Sequence, residues 1–249
     1  MDHQISRHRH ELKRRQLALR HTGRVTPNML RLVFAGDDLA DFVSLGFDDH
    51  VKIFVPGPAG EPAMRDYTPR AFDRDARTLT LDFAVHEAGP ATRWALEARP
   101  GDRLEVGGPR GSMVISPTFD WWLLIGDETA LPAIGRRLEE LPAGAKALSV
   151  AAVTGADEEQ VFASRADHQA TWVHRPLDRA DDPGALLAAV QRLQLPAGDG
   201  FIWIAAEASV ARALRAHFLA GPGGHRKEWL KAAGYWRKGV ADAHEKLED

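Results

Sequence analysis

The stretch Trp121-Trp-Leu-Leu-Ile-Gly-Asp-Glu-Thr-Ala-Leu-Pro132 decides the fold. It opens on an unbroken apolar run, the pattern of a strand covered on both faces rather than one. A glycine and two acids then turn the chain, and a helical pattern runs over residues 131–141. Runs of the same kind recur at Ala147-Leu-Ser-Val-Ala-Ala-Val153 and Phe201-Ile-Trp-Ile-Ala-Ala206, with helical patterns over 183–193, 210–219 and 226–233. Strand alternating with helix predicts an α/β, doubly wound parallel sheet.

Upstream of this stretch the texture is different. Gln16-Leu-Ala-Leu-Arg20, Met29-Leu-Arg-Leu-Val-Phe34, Val51-Lys-Ile-Phe-Val55, Thr78-Leu-Thr-Leu-Asp-Phe-Ala-Val85 and Arg103-Leu-Glu-Val106 alternate polar with apolar. Gly/Pro/Asp turns separate them, which predicts an antiparallel β-barrel. One short helix, 90–98, interrupts it, with Pro90 in its first turn and Pro100-Gly101 beyond its end. The expected organisation is a basic N-terminal arm over 1–15, a barrel domain over 16–117, an α/β domain over 118–239 and a flexible tail over 240–249.

Composition narrows the chemistry. A formal net charge of −3 gives no global basic field for nucleic acid or an anionic membrane surface. No apolar run approaches the roughly 18 residues of a membrane span, and the polar N-terminus lacks the apolar centre of a signal peptide, so a cytoplasmic protein without stable membrane association is expected. There is no cysteine, which removes disulfides, cysteine-ligated iron–sulfur clusters and thiolate nucleophiles. Redox chemistry would need an organic cofactor. His8 and His10 read as part of a solvated arm, and no His/carboxylate cluster has metal-site spacing.

Three segments carry chemistry. In Arg65-Asp66-Tyr67-Thr68-Pro69-Arg70 a ring stands beside a hydroxyl with an arginine close by. The ring can lie on a flat heterocycle, the hydroxyl can bond a ring nitrogen, and the guanidinium can clamp a phosphate. Gly89-Pro90-Ala91-Thr92 opens the short helix, whose orphan N–H groups form an anion site. Gly126-Asp127-Glu128-Thr129 ends the first parallel strand, where doubly wound sheets bind nucleotides. It is not GxGxxG, and its two acids suit a looser site than a dinucleotide cradle.

In that order, on a barrel followed by an α/β domain, these motifs resemble those of the siderophore-interacting proteins, a branch of the ferredoxin-NADP reductase-like flavoproteins. Further stretches are similar: Gly46-Phe-Asp-Asp-His-Val-Lys-Ile-Phe54, Pro100-Gly-Asp-Arg-Leu104, Gly108-Pro-Arg-Gly-Ser112, Ile204-Ala-Ala-Glu-Ala-Ser209 and Gly234-Tyr-Trp-Arg-Lys-Gly239. The resemblance implies that Arg65 binds an FAD phosphate, with Asp66 beside it, that Tyr67 packs on the flavin and that Thr68 meets the reactive edge of its ring. It implies that Asp82, Val85 and His86 border the adenosine or ribityl portion, and that Pro90, Ala91 and Thr92 present donors to the pyrophosphate. Tyr235 and Trp236 would approach the flavin's other face or rim. Asp127, Glu128 and Thr129 would serve NAD(P)H.

The expected function is FAD-dependent reduction of ferric siderophores or ferric chelates with electrons from NAD(P)H, releasing Fe(II), and no catalytic side chain is needed beyond the flavin. Such chelates are often anionic, and Lys52, Arg237 and Lys238 would form a cationic entrance. The acidic run Asp157-Glu158-Glu159 after the second strand favours NADH over NADPH, although Arg136, Arg137 or Arg165 can supply the charge a 2′-phosphate wants. Ferredoxin is a less favoured donor. Two other readings stay open: a general flavin or electron-carrier reductase, and a non-catalytic siderophore-binding protein that delivers iron.

Overall fold

The computed structural model describes residues 3–57, 60–85, 89–220, 224–240 and 245–246. The chain divides into two compact units, Met1–Ser116 and Pro117–Asp249.

The first unit comprises β1 (Ile5–Arg9), β2 (Arg14–Thr26), β3 (Met29–Ala35), β4 (Val51–Pro56), β5 (Pro62–Tyr67), β6 (Pro69–Asp73), β7 (Thr78–Ala84), α1 (Pro90–Glu97), β8 (Arg103–Gly107) and β9 (Gly111–Ile115). Seven of the strands form one antiparallel sheet in the order β5-β4-β8-β2-β3-β7-β6. Its two edge strands, β5 and β6, are consecutive in the chain and separated only by Thr68. The sheet therefore curls until its edges meet at that residue. Period-2 alternation sends Leu17, Leu19, Leu32, Phe34, Ile53, Leu79, Leu81 and Val106 into the core. Helix α1 lays Ala91 and Ala95 on this core and stacks Trp94 on Phe34 at 6.2 Å.

The basic N-terminal segment is not a free arm. Strand β1 pairs antiparallel with β9, placing His8 opposite Ser112. Ser112 Oγ donates to Asp49 Oδ2 at 2.5 Å, so His10 Nε2, 2.7 Å from the same hydroxyl, is the donor to it. Side-chain patterning gave no sign of this strand because its residues are largely exposed and its order comes from backbone pairing. Strands β5 and β6 were hidden too. Each opens on a proline, and β5 carries the polar motif rather than an apolar alternation.

The second unit comprises β10 (Trp121–Gly126), α2 (Leu131–Glu140), β11 (Lys146–Val153), β12 (Asp167–His174), α3 (Gly184–Val190), β13 (Gly200–Glu207), α4 (Ala208–Leu219), β14 (Leu230–Trp236) and β15 (Glu245–Lys246). The sheet order is β12-β11-β10-β13-β14-β15, parallel through β14, with β15 antiparallel on the edge. One face buries Trp121, Leu123, Ile125, Ile202 and Ile204 with α3 and α4 residues. On the other, the Arg137 guanidinium of α2 lies 3.7 Å over the Trp122 ring.

One expectation fails here. Residues 226–233 are not a helix: a short 3-10 turn, Lys227–Trp229, leads into β14, which pairs Leu230 with Ile202 and Ala232 with Ile204. The vacant edge of β13 overrides a weak helical period. Within 240–249, Glu245 and Lys246 pair as β15 opposite Gly234 and Ala233. Strand β12 went unread because, as the outer parallel strand, it keeps polar, half-exposed side chains.

Candidate functional site

Thr68, at the meeting of the curled sheet's edges, is buried, and Pro69 after it has no N–H to extend the ladder. The Tyr67 ring rests on Phe83 of β7, centroids 4.2 Å apart. Burial pushes the Tyr67 phenol above its ordinary range, with the Arg65 cation opposing, so the ring is neutral at any working pH. Arg65 is partly exposed and donates Nη1 to the Met64 carbonyl at 2.7 Å. Asp66 faces Lys52 across the β4–β5 register and accepts its ammonium at 2.9 Å. Lys52, expected as a free cation for substrate, is thus partly neutralised by the motif's own aspartate.

Helix α1 begins at Gly89 in an extended conformation (φ −66°, ψ 168°), with Pro90 in its first turn. No side chain caps this start and no acid lies in the first turn, while Ala91 and Thr92 are buried there. Orphan N–H groups with no carboxylate cap among the described residues suit a phosphate. The backbone N–H of Val85 donates to Asn28 at 2.8 Å. His86 lies outside the described residues. Asp82 does not face an open surface: Arg31 donates Nε and Nη2 to its two oxygens, each at 2.7 Å, and Arg70 Nε lies 3.7 Å away. Arg31 did not stand out in the sequence, since an arginine within a short strand carries no motif of its own, and Arg70 closed the quoted motif without a role. An aromatic platform, a hydroxyl, an arginine and an uncapped helix start in one unit fit FAD.

In the second unit the strand order reverses between the parallel strands β10 and β13: β11 and β12 lie to one side of β10, β14 to the far side of β13. Ligands of open α/β sheets bind at the carboxyl ends of such a strand pair. Here Asp127 occupies that point from within. Its Oδ1 accepts the Thr129 N–H at 2.9 Å and the Thr129 hydroxyl at 2.6 Å; its Oδ2 accepts the Glu207 N–H at 2.8 Å and the Trp236 indole N–H at 2.9 Å. A carboxylate so engaged, and 2% exposed, ties these segments together from inside the fold. Gly126 is required beside it, because a Cβ would stand 2.3 Å from Ala130 Cβ and 2.6 Å from the Ala205 carbonyl.

Glu128 pairs with Arg175 through two hydrogen bonds, 2.6 and 3.1 Å. Burial and the neighbouring Asp127 carboxylate push Glu128 up to about 7, against the pull of Arg175. Glu207 caps α4, accepting Ser209 N–H at 2.6 Å and Val210 N–H at 3.4 Å, so that helix start is already filled by a carboxylate. An acid ending an apolar run just before Ala-Ser was the available signal for this cap. Lys238 is held by Asp181 at 2.7 Å and by the Asp178 carbonyl, whereas Arg237 is exposed with no ion pair among the described residues. Tyr235 meets Trp203 edge-on at 6.1 Å. Of the arginines offered for a 2′-phosphate, Arg136 pairs with Glu140 at 2.7 Å and Arg137 covers Trp122.

The fold is shared with the flavohem-like FAD/NAD binding domain of a nitric oxide dioxygenase from Vibrio cholerae, at a TM-score of 0.66 and 15% identity over 87% of this chain and 96% of that one. The siderophore-interacting protein model matches residues 119–239, and the siderophore-interacting FAD-binding domain model matches 18–62 and 58–113. The chain belongs to the siderophore-interacting protein family. It is 34% identical to an NADPH-dependent ferric-chelate reductase of Escherichia coli, over 92% of this chain and 94% of that one. Ferric vibriobactin reductase ViuB of Vibrio cholerae is 29% identical over 70% of each chain. The crystal structure of a siderophore utilization protein from T. fusca superposes with a TM-score of 0.87 at 37% identity, covering 96% of this chain and 98% of that one.

Proposed function

We propose that the protein is an FAD-dependent reductase of ferric siderophores or ferric chelates that takes its electrons from NADPH. The observation that carries this reading is the uncapped, acid-free start of α1 in the same unit as the Arg65–Thr68 motif. Bound FAD supplies the exchange between two-electron donor and one-electron acceptor. The protein's part is to hold and shield. Tyr67, braced by Phe83, offers a neutral ring face; Thr68 offers a hydroxyl; Arg65 and the Ala91 and Thr92 N–H groups offer charge and donors for phosphates. Val85 and His86 serve the ribityl or adenosine side, and Tyr235 and Trp236 the flavin rim.

NADPH is preferred to NADH because the Escherichia coli relative is named as NADPH-dependent, and two of the three acids that favoured NADH have commitments of their own. Glu158 is buried and Glu159 pairs with His174 at 2.8 Å. Ferredoxin is the less favoured donor. Thr129 and the uncapped start of α2 are the proposed donor-side contacts, with Asp127 and Glu128 acting behind them. Among the cations proposed for an anionic ferric chelate, Arg237 is the most available, while Lys52 and Lys238 must exchange carboxylate partners to take part. A cytoplasmic location follows the proposed use of NADPH; no helix among the described residues is long and apolar enough to cross a membrane.

The test is direct. Purified protein titrated with FAD should acquire a bound-flavin spectrum, and Arg65→Ala should retain flavin about tenfold less tightly, as loss of a charged phosphate contact implies. A protein that gains no flavin, or an Arg65→Ala variant with wild-type affinity, would refute the assignment.

A further inference from the structure

Two arginines that no motif assigned, Arg31 and Arg70, converge on one carboxylate. The side chains of Asp82 and Arg70 are 2% and 7% exposed, against 35% for Arg31. Arg31 reaches Asp82 by simple register, since the two stand opposite each other across β3 and β7. Arg70 arrives by a different route. Pro69 faces Leu81 but Ala71 faces Thr80, so Arg70 is the extra residue of a β-bulge, the local device by which a strand re-aims a side chain. Its chain neighbours on the amino-terminal side are Pro69 and Thr68, where the two edges of the sheet meet.

We infer that Asp82 is a positioning residue: acting through the bulged Arg70, it fixes Thr68 and Tyr67 in the geometry that receives the flavin, without itself touching the cofactor. This rests on the FAD reading above. Both oxygens of Asp82 are already occupied by Arg31, and the side chain is sealed from solvent. The residue after it, Phe83, bears the Tyr67 ring. One strand thus braces the ring directly and anchors, through Asp82 and Arg70, the residues that follow it. Without the carboxylate, Arg31 and the buried Arg70 lose the anion they share, and two guanidiniums are left side by side, which loosens the bulge. Removing Arg70 as well removes that cation, so the two losses cannot be independent.

The experiment is FAD titration of the apoprotein, followed by flavin fluorescence, for wild type, Asp82→Asn, Arg70→Met and the double variant, with a thermal melt of each apoprotein. Asp82→Asn and Arg70→Met should each weaken FAD by at least about tenfold, and the double variant should bind no worse than the weaker single. Asp82→Glu, which keeps the carboxylate, should recover part of the affinity. Multiplied losses in the double variant, or wild-type affinity in Asp82→Asn, would overturn the inference. Should Asp82→Asn fail to fold, Arg70→Lys decides: it keeps the charge but not the planar fork, and is expected to weaken FAD while leaving the apoprotein melt unchanged. Unchanged FAD affinity in Arg70→Lys would contradict the positioning role. Absence of FAD binding by wild type is a separate result and would sink the cofactor reading instead.

Discussion

Trp236 donates its indole N–H to Asp127 Oδ2 at 2.9 Å, the same oxygen that accepts the Glu207 N–H at 2.8 Å. One carboxylate therefore ties the end of β14 to the strand pair at which the sheet reverses direction. Asp127→Ala should strand the Thr129, Glu207 and Trp236 donors in a buried setting and destabilise the fold by about 3–5 kcal/mol. Trp236→Phe gives up one of these bonds and should cost about 1 kcal/mol. Thermal or urea denaturation checks both, and equal stabilities for the two variants would remove Asp127 from its role as a hub.

The Glu128–Arg175 pair makes a prediction about pH. Burial and the Asp127 carboxylate push Glu128 up to about 7 in the folded protein, above the ordinary glutamate range of the unfolded chain. The folded state therefore binds more protons than the unfolded state between those values, and the stability Glu128 contributes falls as pH rises through that window. The contribution is on the order of 3 kcal/mol, complete below the unfolded pKa and gone above about 7. In Glu128→Gln the fall should vanish, so wild type loses stability relative to the variant between pH 5 and 8. Parallel stability curves would show that Glu128 stays ionised beside Arg175 throughout.

Lys52 and Asp66 bear on substrate capture. Their ion pair at 2.9 Å is half exposed, so it is weak and screened by salt. Asp66→Asn should release the ammonium and lower the KM for an anionic ferric chelate by roughly two- to fivefold at low ionic strength, with kcat little changed. The advantage should fade in added salt. A KM that is unaltered at low salt would mean that Lys52 does not meet the chelate.

Gly126 allows a steric test. Alanine there must displace the Ala130 methyl and the Ala205 carbonyl, and one of these is backbone. A cost of about 1–3 kcal/mol is expected, together with weaker NADPH binding from a displaced turn. Calorimetry of the variant with and without NADPH separates the two effects.

Regular patterning was readable wherever side chains carried it. The apolar runs of β10, β11 and β13 and the alternation in β2, β3, β4, β7 and β8 place both sheets directly. Strands whose order lies in backbone pairing were not readable: β1 with its exposed basic side chains, β12 on the sheet edge, and β14, whose weak helical period loses to the free edge of β13. The site divides in the same way. The types of Arg65, Tyr67 and Thr68 were legible as chemistry. The commitments of Asp82 to Arg31, Asp127 to Trp236 and Lys238 to Asp181 span from 51 to 109 positions, and no local spacing announces a partner so far along the chain.

The central claim is electron transfer to chelated iron, and the most direct measurement is anaerobic. The FAD-loaded protein is reduced with NADPH, then mixed with a panel of ferric siderophores and simple ferric chelates while flavin absorbance and Fe(II) formation are followed. Bleaching by NADPH is expected, then flavin reoxidation matched by two Fe(II) per flavin, as the electron balance of a two-electron carrier requires. Bleaching followed by reoxidation with other electron acceptors but no ferric chelate would make the protein a general flavin or electron-carrier reductase. Tight binding of a ferric siderophore with no flavin reoxidation would contradict the account outright and leave a protein that delivers iron without reducing it.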